Sequence, residues 1–241
     1  MFTITNVSKS YNKNAVKAVE NLSLEVKNGE IFGFLGPNGA GKTTTIEMIT
    51  GVLNIDEGDI LIDGKSIKND PINAKKQFGF VPDTPETFEK LTGLEYLNFI
   101  GDVYNVPSKV RLEKVERLAN EFGIYNNLKD RIQSYSHGMK QKLLIISVLL
   151  YNPKNWILDE PMTGLDPKAS YTLKSLMKEH SENGNTVFFS THVLEVAEKI
   201  CDKIAVIDKG KIIFVGTCEE LKEKSKTNSS LEESFLKIIE E

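Results

Sequence analysis

The sequence predicts an α/β fold: a mixed sheet flanked by helices, with an N-terminal antiparallel β part and an inserted α-helical part. Three stretches carry that prediction. Gly36 to Thr43 is a glycine-rich turn set between an apolar run, Glu30 to Leu35, and a Pro- and Gly-free stretch, Lys42 to Thr50, that Gly51 ends as it would end a short helix. The second half, from Asn155 to about Ile200, alternates buried-strand and helix patterns. Between them, residues 84–150 are rich in helical spacing and poor in strict alternation. The 241 residues suit one large α/β domain, or a core plus a subdomain.

The elements follow in order. Phe2-Thr3-Ile4-Thr5 and Leu22-Ser23-Leu24-Glu25-Val26 alternate as half-exposed strands do, and Asn28-Gly29 is a turn signal, so residues 2–35 read as strands joined by turns. Asp56-Glu57-Gly58 and Asp63-Gly64 bracket a further strand, Asp59 to Ile62, set in a hairpin. Lys75 to Pro82 leads to one more strand ending at Pro82. Within 84–150, Leu94, Leu97 and Asn98, then Leu112, Val115, Leu118, Ala119 and Phe122, recur at helical spacing. A long helix opens near Ser134 and runs to about Tyr151. Asn155 to Asp159 is a buried-type strand, 168–183 a helix, Thr186 to Ser190 a strand, and Val193 to Ile200 a helix. Ile204 to Ile207 and Ile212 to Val215 flank Lys209-Gly210, a hairpin signal. Glu223 to Ser229 reads as a polar linker. Ser230 and Glu233 have capping-box spacing ahead of a stripe of Leu231, Phe235, Ile238 and Ile239. There is no internal repeat and no low-complexity tract.

Composition narrows the partners. Lys+Arg 30 against Asp+Glu 34 gives a net charge of −4, which argues against a nucleic-acid binder that relies on bulk charge. Cys201 and Cys218 match no metal spacing and read as small buried apolar residues of a reduced, cytosolic compartment. Met1 to Thr5 alternates like a strand and has no basic leader character. The longest apolar run, Leu143 to Tyr151, falls far short of the roughly 20 residues that span a bilayer, so we expect a soluble chain.

Gly36-Pro37-Asn38-Gly39-Ala40-Gly41-Lys42-Thr43 reads G-x-x-x-x-G-K-T, a phosphate-binding loop. Its glycines let successive N–H groups face one concavity, and the following helix adds its positive end. Lys42 supplies a compact cation for the β- and γ-phosphates, and the Thr43 hydroxyl can ligate Mg²⁺; Thr44 follows directly. Cleaving a nucleotide further requires a metal ligand, a group that activates water and a γ-phosphate sensor. Asp159 ends a strand, where its carboxylate can reach Mg²⁺, and Glu160 points elsewhere as a candidate base. Alone, an Asp-Glu pair after a strand is an ordinary turn. His192 reads equally as a helix N-terminal residue, and Ser190 could face the phosphate. Tyr11 alone reads as a surface or core tyrosine, though an aromatic ahead of such a loop could stack on adenine. Ser136 and Gly138 open the long helix and offer a second anion site. A symmetric dimer accommodates both sites, with each nucleotide between the loop of one chain and the Ser136 helix of the other.

Taken together, these stretches resemble the ATP-binding subunit of an ABC transporter over essentially the whole chain. Gly36 to Thr43 resembles Walker A, Trp156-Ile157-Leu158-Asp159 resembles Walker B, and Glu160 stands where that family has its catalytic glutamate. Tyr135-Ser136-His137-Gly138-Met139 sits where the family has L-S-G-G-Q. Gly164-Leu165-Asp166 resembles the D-loop, His192 the switch histidine and Tyr11 the adenine-stacking aromatic. The resemblance implies a P-loop NTPase core, with ATP and Mg²⁺ as cofactors. It implies an ATPase domain over 1–221, with its core in 1–83 and 151–221 and a helical subdomain in 84–150, followed by a linker and short helix in 222–241. It further implies a transmembrane permease and a second ATPase subunit (the same chain or a related one) as partners, no nucleic acid, and a cytoplasmic place on the inner face of the membrane. Met139-Lys140-Gln141 and the tail around Gly216 to Leu221 and Leu231 to Leu236 resemble a branch of single-cassette bacterial exporters.

Two positions depart from the family pattern. Asp83 replaces the usual glutamine after the Val-Pro strand, and as a carboxylate it can still bind Mg²⁺ or water. His137 and Met139 replace a glycine and a glutamine of the signature, while Ser136 and Gly138 are kept. Two other readings compete: a non-transport ABC ATPase, against which stand the single Walker A and the missing heptad insert, and a regulatory subunit, against which stand Glu160 and His192.

Overall fold

The computed structural model describes residues 1–11, 16–84, 88–225 and 230–240. Its frame is two sheets. The first is antiparallel and is built from β1 (Phe2–Tyr11), β2 (Val16–Val26), β4 (Glu57–Ile62) and β5 (Lys65–Ser66), in the order β2-β1-β4-β5. The expected hairpin is present, with Asp63 and Gly64 turning β4 into β5, and the other edge of β4 pairs with β1. The second sheet uses β3 (Ile31–Leu35), β6 (Phe78–Val81), β7 (Asn155–Leu158), β8 (Thr186–Thr191), β9 (Lys203–Asp208) and β10 (Lys211–Gly216), ordered β10-β9-β3-β8-β7-β6. All its strands run parallel except β10, which folds back on β9 over Lys209-Gly210. The alternation of Phe2 and Ile4 with polar neighbours gives the first sheet one apolar face, whereas β3, β7 and β8 are buried on both faces and carry no alternation.

Parallel strands need helical crossovers. α1 (Lys42–Ile49), α2 (Pro71–Lys75), α6 (Pro167–Glu182) and α7 (Leu194–Ile200) connect the sheet. Three longer helices fill the segment between β6 and β7: α3 (Gly93–Val103), α4 (Ser108–Glu121) and α5 (His137–Tyr151). Thr92 and Glu95 form a reciprocal capping box at the start of α3. α5 is apolar almost all round, because α3, α4 and β6 pack around it. Val115, Leu118 and Ala119 on α4, and Phe122 at its C-cap, are buried as expected, but Leu112 is 67% exposed. At 100° per residue it lies roughly 70° from the centre of that stripe, and so faces water.

The C-terminal stretch is more helical than its polarity suggested. α8 (Cys218–Lys224) is closed by a Thr217–Glu220 capping box and takes in the first part of the expected linker; 226–229 lie outside the described residues. α9 (Leu231–Glu240) buries Leu231, Phe235 and Ile238 against Leu35, Val206 and Leu221. At its start the Ser230 hydroxyl accepts a bond from the Glu233 N–H at 3.3 Å. Cys218 is buried and Cys201 half-buried, and burial pushes both thiols above their usual range. No helix among the described residues is long and apolar enough to cross a membrane.

Candidate active site

Because β3, β6, β7 and β8 are parallel, the segments that leave their carboxyl ends gather on one edge of the sheet, the usual place for a ligand in such folds. In the register, Leu35 pairs with Thr191, and Leu158 with both Phe189 and Val81. The glycine-rich loop after β3, Asp83 after β6, Asp159 and Glu160 after β7, and His192 after β8 therefore leave the sheet side by side.

The loop is held from outside. The Ala40 carbonyl accepts from the Gly210 N–H at 2.9 Å, and the loop closes on itself through Ala40 N–H to Pro37 O at 3.2 Å. Gly41 has φ +107°, and a Cβ there would lie 2.7 Å from the Ala18 carbonyl oxygen, so the last turn before α1 requires glycine. Lys42 is buried, and its ammonium donates to the carbonyls of Gly36 at 2.8 Å and Pro37 at 3.2 Å. A cavity of about 230 Å³ opens here, lined by Ala18, Asn38, Gly39, Gly41, Lys42, Thr43, Thr44, Asp83 and Glu160. The spacing of the motif singled out most of these; Ala18, on β2, carries no sequence signal.

The two adjacent carboxylates diverge as expected, and the backbone explains how. Glu160 has φ +44°, in the left-handed region that a non-glycine residue adopts at a cost. Asp159 continues the strand, its N–H bonded to the Val81 carbonyl at 2.8 Å and its side chain buried. Burial pushes the Asp159 carboxyl above its usual range, opposed by hydrogen bonds from the Ser190 and Thr43 hydroxyls and helped by the nearby charges of Asp83 and Glu160. Ser190 does not face the cavity. It is wholly buried, donating its hydroxyl to Asp159 Oδ1 at 2.5 Å while accepting from the Glu160 N–H at 2.9 Å. One hydroxyl thus sets both acids.

The swung-out Glu160 meets an ammonium and an imidazole. Its Oε2 lies 2.9 Å from His192 Nδ1, which carries the proton when it faces a carboxylate, and its Oε1 lies 3.6 Å from Lys42 Nζ. Lys42, Glu160 and His192 therefore form a continuous chain at the mouth of the loop. The oxygen donors here suit a hard cation such as Mg²⁺: the Thr43 hydroxyl touches Asp159, with Asp83 nearby. No group of three His, Cys, Asp or Glu among the described residues could hold a metal by itself.

Other candidate residues stand apart from this cavity. Tyr11 ends β1 opposite Val16, is 39% exposed, and is not among the residues lining the cavity; 12–15 lie outside the described residues. Ser136 is the N-cap of α5, its hydroxyl accepting from the Met139 N–H at 3.3 Å. Gly138 packs so tightly on the 160–166 turn that a Cβ there would lie 2.4 Å from the Gly164 carbonyl oxygen. Asp166 is the N-cap of α6, accepting from the Ala169 N–H at 2.9 Å, and pairs with Lys142 of α5 at 2.6 Å. The Lys142 ammonium and the Ala169 N–H hold its carboxyl down at about 2. Ser136, Gly138 and Asp166 thus belong to one surface, joining the start of α5 to the turn after Glu160. Lys142, which ties that surface together, was not legible in the sequence.

Comparison with known proteins agrees with this geometry. The family described as "ABC transporter" matches residues 19–163. The linearmycin resistance ATP-binding protein LnrL of Bacillus subtilis (strain 168) is 35% identical over 99% of this chain and 78% of its own length. The ABC-type transporter ATP-binding protein EcsA of the same organism is 33% identical over 100% of this chain and 97% of its own. Among solved structures, an ATP-binding subunit of an ABC transporter superposes with a TM-score of 0.92 at 31% identity, covering 99% of both chains. A dimeric ATP-binding cassette, solved in a post-hydrolysis state bound to ADP and Pi, superposes at 0.81 with 25% identity, covering 90% of this chain and 98% of that one. A P-loop at the edge of a mixed sheet, a matching family pattern over more than half the chain and relatives covered over 78% and 97% of their own length together make this chain an ATP-binding cassette ATPase of the ABC transporter family.

Proposed function

We propose that two cassettes close over two ATP molecules and that their cleavage powers transport, in the outward direction, through a separate transmembrane permease. The observation that carries the catalytic part is the placement of Glu160. A left-handed backbone turns its carboxylate toward the loop, between Lys42 and His192.

Each residue then has a task. The loop from Gly36 to Gly41, in which Pro37 has no N–H and that of Ala40 bonds the Pro37 carbonyl, offers its remaining N–H groups, and Lys42 a cation, to the phosphates, with Thr44 at the helix start. Thr43 and Asp159, with Asp83 beside them, would hold Mg²⁺, which supplies charge neutralisation for the transferred phosphoryl group. Glu160 accepts a proton from the attacking water, and His192, which donates to Glu160, steadies the carboxylate and the γ-phosphate. Ser136 and Gly138 of a second copy (or of a related chain) close the site, with Asp166 at that contact, and Tyr11 stacks on the base.

A groove of about 260 Å³ between β6, α3 and α5 supports the permease reading. Val52, Phe80, Ile100, Tyr104 and Tyr151 line it, and Tyr104 stacks on Tyr151 at 3.6 Å. An apolar, aromatic trough of that size suits a short helical segment from the permease, which would place the chain peripherally on the cytoplasmic face. The outward direction is supported by similarity to an ATP-binding protein named for linearmycin resistance.

Glu160→Gln tests the reading. It keeps the shape and removes the base, so ATP turnover should fall at least a hundredfold while ATP still binds, and the ATP-loaded dimer should accumulate on size exclusion. Full turnover in this variant overturns the assignment.

A further inference from the structure

Gln141 lies one turn into α5 with none of its surface exposed, and neither Nε2 nor Oε1 of its amide has a hydrogen-bond partner among the described residues. An amide of this kind offers two donors and a carbonyl acceptor, and folded proteins rarely leave one buried and unpaired. Helix geometry places it. Gln141 follows Gly138 by three residues and shares its face, and a long helical side chain leans back over the preceding turn. At Gly138 the 160–166 turn lies so close to α5 that a Cβ would come 2.4 Å from the Gly164 carbonyl oxygen. That turn starts at Glu160 with φ +44° and carries Gly164 at φ +74°. Lys142, next along, already grips its far end through Asp166. Helical spacing therefore puts Gln141 on the face of α5 that meets this turn, and neither amide atom has a partner there.

We propose that Gln141 is a positioning residue: its amide bonds the backbone of the 160–166 turn in the conformation that cleaves ATP, and releases it in the conformation described here. The turn carries Glu160 at one end and Asp166 at the other, so its seating on α5 sets where the Glu160 carboxylate stands relative to Lys42 and His192. The inference rests on the reading of Glu160 as the base.

The test replaces Gln141 with Leu and, separately, with unbranched Met, and measures melting temperature, equilibrium ATP affinity, kcat and KM on the full chain with ATP and Mg²⁺. Removing an unpaired buried amide should raise the melting temperature by about 3 °C or more. ATP affinity and KM should stay within about twofold, while kcat falls roughly tenfold. A stability gain joined to a kcat loss is not what a purely structural amide gives. If neither variant melts higher, or if kcat stays within about twofold of the parent in both, the proposal is wrong. Should Gln141→Leu fail to fold, Gln141→Met alone decides. Glu160→Gln, assayed in parallel, separates the two claims. Full turnover there removes the reading of Glu160. Loss of turnover there, with full kcat in the Gln141 variants, removes this inference alone.

Discussion

Ser190→Ala is the sharpest probe of how the two acids are held. The hydroxyl it deletes sits 2.5 Å from buried Asp159 Oδ1 and 2.9 Å from the Glu160 nitrogen. A hydrogen bond to a charged group contributes about 1.5–3 kcal/mol, and a buried N–H left without an acceptor costs about 1–3 kcal/mol. The Glu160 N–H bond is only partly buried, so water can replace part of what is lost; the lower half of each range applies and the sum is roughly 3 kcal/mol. For a chain of this size each kcal/mol moves the melting point by about 2–4 °C, which gives a fall of about 6–12 °C. The same bond counters burial at Asp159, so its carboxyl should rise still further. Glu160, no longer tied at its backbone, should lose its aim between Lys42 and His192. Turnover should then fall roughly tenfold to a hundredfold with KM little changed, because the loop amides and Lys42, proposed to grip the phosphates, are untouched. Calorimetry and steady-state ATP turnover on the same preparation check both numbers. A variant that melts within 2 °C of the parent and turns over normally would show that the hydroxyl sets neither acid.

Two further predictions concern groups outside the cavity. Asp166→Ala should cost about 1 kcal/mol, nearly all of it from the lost α6 cap, since the Lys142 pair is half exposed and contributes little. Asp166→Ser, which restores a cap, should recover most of that in a urea melt, and equal stability of the two variants would refute the cap account. His180 is buried, stacked on Trp156 at 3.9 Å with Nε2 facing the Lys154 carbonyl, and burial lowers it to about 4 from 6.5. Between those values the unfolded chain binds the extra proton and the folded chain does not, so this group adds stability as pH rises from about 4 to 6.5 and withdraws it as pH falls through that window. The shift corresponds to about 3 kcal/mol, or roughly 2 kcal/mol once partial solvent screening is allowed for. Urea unfolding of the parent and His180→Gln at several pH values checks this, and the variant should show a flatter acid limb; identical limbs would refute it.

What the sequence made legible were the features written in short windows. The G-x-x-x-x-G-K-T loop, the strand alternation around Ile4 and the uniform apolar runs of β7 and β8 are each decided within about ten residues. The α9 stripe is of the same kind. What escaped depends on partners far away in the chain. The Ser190 hydroxyl is spoken for by residues 30 and 31 positions earlier, and Lys142 reaches Asp166 across 24 residues. No local pattern announces either pairing. Leu112 has the right spacing but sits at the margin of its stripe, where burial is decided by the neighbouring helix. For α8, the Thr217–Glu220 cap was present in the sequence, but the polar run after it masked a helix that buries only Cys218 and Leu221.

The edge of the sheet also poses an electrostatic problem that its architecture answers. Asp83, Asp159 and Glu160 bring three acids to a place meant for a polyanion, against one ammonium and a histidine. Left alike, the three would repel both one another and the phosphates. The backbone separates them instead. The strand keeps Asp159 buried, where its charge is disfavoured unless a hydroxyl or a cation is close. The left-handed turn one residue later carries Glu160 away, toward Lys42 and His192. One inverted φ angle thus gives neighbouring carboxylates two environments: one buried beside the Ser190 and Thr43 hydroxyls, the other beside Lys42 and His192. On the proposed reading, a metal held by Thr43 and Asp159 would supply the charge that lets the triphosphate and the acids share the cavity. Triphosphate affinity should therefore depend on Mg²⁺ far more steeply than the affinity for a nucleoside lacking phosphates.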